Sequence, residues 1–123
     1  MKVEKIEKIR VTLSLPNEII DGLESYRNKF LGDKFKDKSK YFSFLLSLYL
    51  PDPSYFTVSI TYEDVIKYSA MPVSKKNNFS FYIPKEQYAK LETRAVLNLR
   101  TTYAEVRLFI YTLYKYFKPL VIG

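Results

Sequence analysis

Arg10, Thr12 and Ser14 stand at alternate positions of RVTLSL, and Asn78, Ser80 and Tyr82 do the same in NFSFYI. Alternate residues of a strand share one face. Each segment therefore gathers three polar side chains on one side. Val11, Leu13 and Leu15, or Phe79, Phe81 and Ile83, take the other. The polar faces offer a guanidinium, a carboxamide, three aliphatic hydroxyls and a phenol, which is hydrogen-bonding chemistry suited to recognition. Bond-breaking chemistry has little to work with. The chain contains no His and no Cys, which removes His-centred triads, imidazole proton shuttles, disulfides and cysteine zinc sites. Three glycines leave no Gly-rich phosphate loop. Glu63 and Asp64 are neighbours and diverge on a helix. Glu18, Asp21 and Glu24 lie near one helical face with no metal-ligand motif around them, which fits a solvated face. The expectation is a protein that is not an enzyme, with no catalytic residue, metal, cofactor or small-molecule ligand.

Lys and Arg number 20 against 13 Asp and Glu, a formal net charge of +7. A basic chain of this size points to a polyanionic partner, nucleic acid or an anionic surface. The longest apolar run, YFSFLLSLYL, covers residues 41–50 and stops at Pro51, short of the roughly 18 residues that span a bilayer. MKVEKIEKIR has no apolar core of a secretory signal. The expected compartment is the cytoplasm, with no membrane partner.

Positioning the two polar faces takes a strand, and the strand is written twice. Shifted by 68 positions, RVTLSLPNEIIDGLE falls on NFSFYIPKEQYAKLE: Pro16 meets Pro84, Glu18 meets Glu86, Leu23 meets Leu91 and Glu24 meets Glu92. Proline ends each strand because it has no N–H for a ladder, and its φ suits the first turn of a helix. Acidic residues follow, where a helix dipole is positive. Ile19, Ile20, Leu23, Tyr26 and Phe30 predict a helix over 17–31, and Tyr88, Leu91 and Ala95 predict one over 85–98. A second helix follows in each copy. Val106, Phe109, Ile110, Leu113, Tyr114 and Phe117 predict one from Thr101 or Thr102 to about Lys118, closed by Pro119. Thr102 with Glu105 fits a capping box, and Thr101 is the competing N-cap. The counterpart runs from near Ser39 to Leu50 at an offset of 62 and is apolar nearly all round, which predicts burial. Between the copies, Phe56–Ile60 alternates like a short extended piece, and Thr61 is placed to cap a short helix reaching Met71. The chain divides into a basic arm (1–8), a first motif (9–50), a linker (51–77), a second motif (78–118) and a tail (119–123).

Strand, helix, helix resembles the ribbon-helix-helix family of DNA-binding proteins, the Arc and MetJ type. RVTLSLPNEIIDGLE from Arg10 and TTYAEVRLFIYTLY from Thr101 carry the likeness, which spans nearly the whole chain outside arm and linker. Two such units in one chain look like the tandem ribbon-helix-helix regulators of hyperthermophilic archaeal viruses. In that family two copies pair their strands into an antiparallel ribbon that enters the major groove of DNA. The resemblance implies a mainly α fold with a two-stranded antiparallel ribbon, the two motifs of one chain forming an intramolecular pseudo-dimer. It implies a sequence-specific regulator of transcription, such as a repressor, acting on double-stranded DNA, in the host cytoplasm if the chain is viral. A lone two-stranded ribbon is marginal in water, so the helices must cover its apolar face.

Carried over position by position, the resemblance makes Arg10, Thr12, Ser14, Asn78, Ser80 and Tyr82 the base readers. Arg10 suits guanine O6 and N7, Asn78 suits adenine N6 and N7, and the small hydroxyls suit either base. Tyr82 departs from the smaller or charged residues common there; stacking, a phosphate bond and an interrupted surface are all open to it. Because the two faces differ, the preferred site is not expected to be a perfect palindrome. Phosphate contacts are implied for Lys8 and Lys76, which lead into the strands. They are implied also for Ser39, Lys40, Thr101 and Thr102, where the second helices begin and free N–H groups suit a phosphate. Lys34, Lys36 and Lys38 crowd the loop before the first of these.

A protein-binding or structural module is the alternative, since such motif pairs also serve in assembly. Leu108 and Tyr111 lie off the main stripe of the last helix and are expected to form a face where one pseudo-dimer meets the next, giving homo-oligomers along DNA. The linker is also long enough for the first strand of one molecule to pair with the second strand of another.

Overall fold

The computed structural model describes residues 7–30, 37–69 and 78–122. Strand β1 (Lys8–Ser14) alternates outward and inward side chains, and so does β2 (Asn78–Pro84). They pair antiparallel as a two-stranded sheet within the chain. Val11, Leu13, Phe79, Phe81 and Ile83 are buried beneath it, with Leu15 just past β1. The strand begins one residue earlier than the expected arm boundary. Glu7 already accepts a hydrogen bond from the Lys85 N–H at 2.9 Å, so Lys8 is held in the ladder across from Pro84. Residues 1–6 of the arm lie outside the described residues.

Everything else is mainly helical. The first motif continues as α1 (Asn17–Phe30) and α2 (Lys38–Tyr49). The linker contains a short 3-10 turn (Pro53–Phe56) and α3 (Tyr62–Ser69). The second motif continues as α4 (Lys85–Leu97) and α5 (Thr102–Ile122). No helix among the described residues is long and apolar enough to cross a membrane.

The packing interlaces the two motifs. Helix α2 packs under β2, and α1 packs along α5. Phe42 of α2 sits with its ring centroid 5.4 Å from Phe79, edge-on, and 5.0 Å from Phe81. Burying one such ring is worth about 1.5–3 kcal/mol. Helix α2 therefore holds down the strand of the other motif. Close packing also explains Gly22 in α1. A Cβ there would stand 2.8 Å from Cε2 of Tyr114, whose ring is buried against Tyr26 and Tyr68 and whose hydroxyl donates to Glu18 at 3.2 Å. Gly22→Ala is expected to lose up to about 2 kcal/mol net: overpacking costs about 1–3 kcal/mol and outweighs the roughly 1 kcal/mol of added helix propensity. Urea denaturation beside the exposed control Ser25→Ala measures it.

Several boundaries differ from expectation. Helix α2 starts at Lys38 because Asp37 caps it, its carboxylate accepting the Ser39 N–H at 2.8 Å. Thr101, and not Thr102, caps α5, accepting the Ala104 N–H at 3.1 Å. Glu105 forms no capping box; it is buried beside Arg100 and Arg94. Pro119 does not close α5, which continues to Ile122. Proline's fixed φ is helical, and near a terminus it removes a single ladder donor.

The linker also departs from expectation. No strand forms over Phe56–Ile60. Asp52 caps the 3-10 turn, Thr57 ends it at φ 54°, and the turn drives Phe56 into the core beside Tyr49 and Tyr116. Helix α3 carries a reciprocal cap: the Thr61 hydroxyl accepts the Asp64 N–H at 3.1 Å, and Asp64 accepts the Thr61 N–H at 2.9 Å. The end expected at Met71 lies outside the described residues. Tyr68 of α3 stacks 5.2 Å from Tyr111, which is only 2% exposed. Tyr111 therefore belongs to no self-association face, because the linker helix covers that side of α5. Leu108 is half-buried along the groove between α5 and the linker.

Lys115 ties the linker down. Its ammonium donates to Asp64 at 2.6 Å and to the Ser59 carbonyl at 2.8 Å. The Lys115 hydrogen bond, then the Thr61 N–H, holds the Asp64 carboxyl below the ordinary Asp range. A depressed folded pKa contributes stability that is present above the unfolded value of about 3.9 and is lost as pH falls through the folded pKa. Acid below about pH 4 is expected to loosen α3 before the ribbon, read as faster amide exchange in α3. Lys115→Met should shrink that acid step, leaving the part due to Thr61, at a neutral-pH cost of up to about 1 kcal/mol.

Candidate nucleic-acid interface

The antiparallel register sets the face. Arg10 stands across from Tyr82, Thr12 from Ser80, and Ser14 from Asn78. The six polar residues of the two segments thus form one patch of three rows. Arg10, Thr12, Ser14, Asn78 and Tyr82 are exposed and Ser80 is half-buried. The central pair is in contact, with the two hydroxyl oxygens 2.9 Å apart. One hydroxyl donates to the other, which leaves one proton and free lone pairs for a partner.

Thr12 and Ser80 also occupy the same place in the sequence repeat, 68 positions apart. A residue and its repeat equivalent meet only where a twofold axis would cross an antiparallel pair. The equivalents Arg10 and Asn78 are then at opposite ends of the patch, as are Ser14 and Tyr82. The strand edges follow the same relation. The Tyr82 N–H donates to the Ser39 hydroxyl of α2 at 2.8 Å, and the Ser14 N–H donates to the Tyr103 hydroxyl of α5 at 3.1 Å. Each strand edge is thus tied to the first turn of the second helix of the other motif. That contact satisfies an edge donor that would otherwise be exposed.

The ends carry different chemistry. At the Arg10 end, Lys8, Ser39, Lys40 and Tyr82 line one open groove of about 330 Å³ with Ser43, Phe44 and Pro84. Two cations, a hydroxyl and a phenol there suit a phosphate group. Asp37 already takes the Ser39 N–H, and the Ser39 oxygen accepts from Tyr82, so Ser39 offers its hydroxyl proton rather than a free helix N–H. Tyr82 is 48% exposed and closes this end beside Arg10. At the other end, Tyr103 stands beside Ser14 with the Arg107 guanidinium 5.7 Å from its ring centroid. Thr101 spends its oxygen on the Ala104 N–H, and Thr102 is half-buried in the first turn of α5. Lys76, with Lys34, Lys36 and Lys75, lies outside the described residues.

No protein-family model, curated protein or solved structure matches this chain. Among the described residues, no cluster of three or more His, Cys, Asp or Glu side chains could hold a metal.

Sequence reading placed Lys38 among the loop lysines and missed two cations and one hydroxyl of this region. Lys38 extends across the Phe79 ring with its ammonium 4.7 Å from the centroid. Lys85 pairs with Glu7 at 3.3 Å. Tyr103 and Arg107 depend on which helix end meets which strand edge. The repeat supplied a signal for Tyr103, since it aligns with Tyr41, one turn into the other second helix. Tyr41 is buried, however, and burial pushes its phenol up to about 12, so the equivalent positions do different work.

Proposed function

We propose that the chain is a sequence-specific double-stranded DNA-binding regulator. In this reading two tandem ribbon-helix-helix motifs form an intramolecular pseudo-dimer and insert the β1–β2 ribbon into the major groove. The observation that carries the reading is the register: repeat equivalents Thr12 and Ser80 face each other at the ribbon's centre, with polar side chains on both sides and apolar ones beneath. Support comes also from the interlaced packing of α1 with α5 and α2 with β2, which makes neither motif a separate unit. An antiparallel pair of strands is narrow enough for the roughly 12 Å major groove. Arg10, Thr12, Ser14, Asn78, Ser80 and Tyr82 read base edges in this proposal. Lys8, Lys40, Ser39, Thr101, Thr102 and Lys76 contact phosphates.

Fluorescence anisotropy on a labelled duplex, across a salt series, tests the proposal. Lys8, Lys38 and Lys40 contribute three cations beside the patch for phosphates, so log K should fall against log salt with a slope of about −3. Binding that ignores salt, or no binding at low salt, removes the proposal. A second reading, a protein-binding module, is favoured by one observation. Val96, Leu97 and Leu99 are exposed together at the α4–α5 turn, away from the ribbon pairings. That module would keep its function when the ribbon face is changed.

A further inference from the structure

The proposed DNA face is not symmetric, and its asymmetry has a direction. We infer, resting on the DNA-binding reading, that one chain occupies one non-palindromic site with a fixed polarity, guanine at the Arg10 end and adenine at the Asn78 end. The pairing places Arg10 in the first row and Asn78 in the third. Four residues of β1 separate those rows, about 14 Å at roughly 3.4 Å per residue. That length matches about four base-pair steps of roughly 3.4 Å.

Arg10 and Asn78 are repeat equivalents, so about the pseudo-twofold through Thr12 and Ser80 they address opposite DNA strands. The guanidinium of Arg10 donates twice and matches the two acceptors of guanine, O6 and N7. The carboxamide of Asn78 donates once and accepts once, which matches adenine N7 and N6. A palindrome gives both residues the same base. Two guanines deprive Asn78 of its donor partner, and two adenines present Arg10 with an amino group that it cannot accept from. The best site therefore has guanine on one strand and adenine on the other, about four base pairs away. The end chemistry reinforces the direction. Lys8, Lys40 and Tyr82 gather at the Arg10 end, while Ser14 and Tyr103 stand at the Asn78 end.

Selection from a random duplex pool, followed by anisotropy on the selected sites, tests this. The wild-type chain should select a non-palindromic site. The exchange variant Arg10→Asn with Asn78→Arg keeps the net charge and alters only exposed positions. About the pseudo-twofold the exchanged site is the wild-type duplex turned end for end, so the variant should bind that duplex in the reverse orientation. This is read as a swap in energy transfer between a dye on Glu7→Cys, at the Arg10 end of the ribbon, and a dye on one end of the duplex. Arg10→Asn alone should move the preference toward a palindrome with adenine in both half-sites. Far-ultraviolet circular dichroism establishes that each variant is folded. A palindromic wild-type site, or an exchange variant that keeps the wild-type orientation, overturns the polarity while leaving DNA binding in place. No salt-dependent binding of any duplex overturns the DNA reading and the polarity with it.

Discussion

Replacing Arg10, Thr12 and Asn78 together by alanine is expected to weaken binding to the preferred duplex by roughly 30-fold to about 10⁴-fold without unfolding the protein. A bidentate side chain–base pair is worth about 1–3 kcal/mol of discrimination, and two are lost. All three side chains are exposed. The Thr12–Ser80 hydrogen bond is the one described side-chain contact that goes with them, and it is exposed too. Binding to unrelated duplex should fall little, because Lys8, Lys38 and Lys40 remain. The salt slope should stay near about −3, because Arg10 is placed on a base and the lysines are unchanged. The diagnostic outcome is a triple variant that no longer prefers guanine at the Arg10 end or adenine at the Asn78 end. If it keeps the wild-type sequence preference, the ribbon face does not read bases.

The second large effect lies in the α4–α5 turn. Glu105 is fully buried, yet its carboxylate is 3.0 Å from Arg100 and 3.6 Å from Arg94, with the Asn98 amide at 3.5 Å. The turn is built to bring Arg100 there. Leu99 adopts φ 56°, and the Arg100 N–H then donates back to the Ala95 carbonyl at 2.8 Å. This left-handed closure usually falls to glycine, and a leucine in it is strained by roughly 1–2 kcal/mol. Leu99 is 95% exposed, so its side chain returns little of that. The ion cluster and the backbone bonds to Ala95 and Val96 together hold the turn in this conformation. Arg94→Ala with Arg100→Ala leaves Glu105 buried without a cation and is expected to cost about 3–5 kcal/mol. A domain of this kind has about 5–15 kcal/mol in all. Either single variant should cost distinctly less, because one cation remains. Adding Glu105→Leu to the double variant should recover part of the loss, since no buried charge is then left unpaired. Urea denaturation with an unchanged m-value reads all four proteins. A double variant within about 1 kcal/mol of wild type would show that Glu105 is not charge-stabilised.

The sequence by itself determined the elements and their buried faces. Both strands, both helices of each motif and the short linker helix are local in origin. An alternation of period two or a stripe of period 3.6 is set by residues a few positions apart, and prolines punctuate it. The residues placed beneath the strands, Val11, Leu13, Phe79, Phe81 and Ile83, are the ones the core contains. The repeat itself was legible, because Pro16, Glu18, Leu23 and Glu24 recur at one offset.

Tertiary structure alone decided the rest, because long-range contacts carry it. The row order of the polar patch depends on register, which a shift of one residue would invert. Ser39 and Tyr103 hold strand edges only because α2 and α5 reach across to the opposite motif. Glu105 reads locally as a capping residue; the left-handed turn at Leu99 makes it the centre of a buried ion cluster. Tyr111 reads as a free surface along α5, and a linker helix from far back in the chain covers it. Phe56 reads as part of a strand, but the core offers its ring more contact than an unpaired strand would. In each case a distant neighbour supplied the deciding energy, and hydrophobic periodicity reports only on near ones.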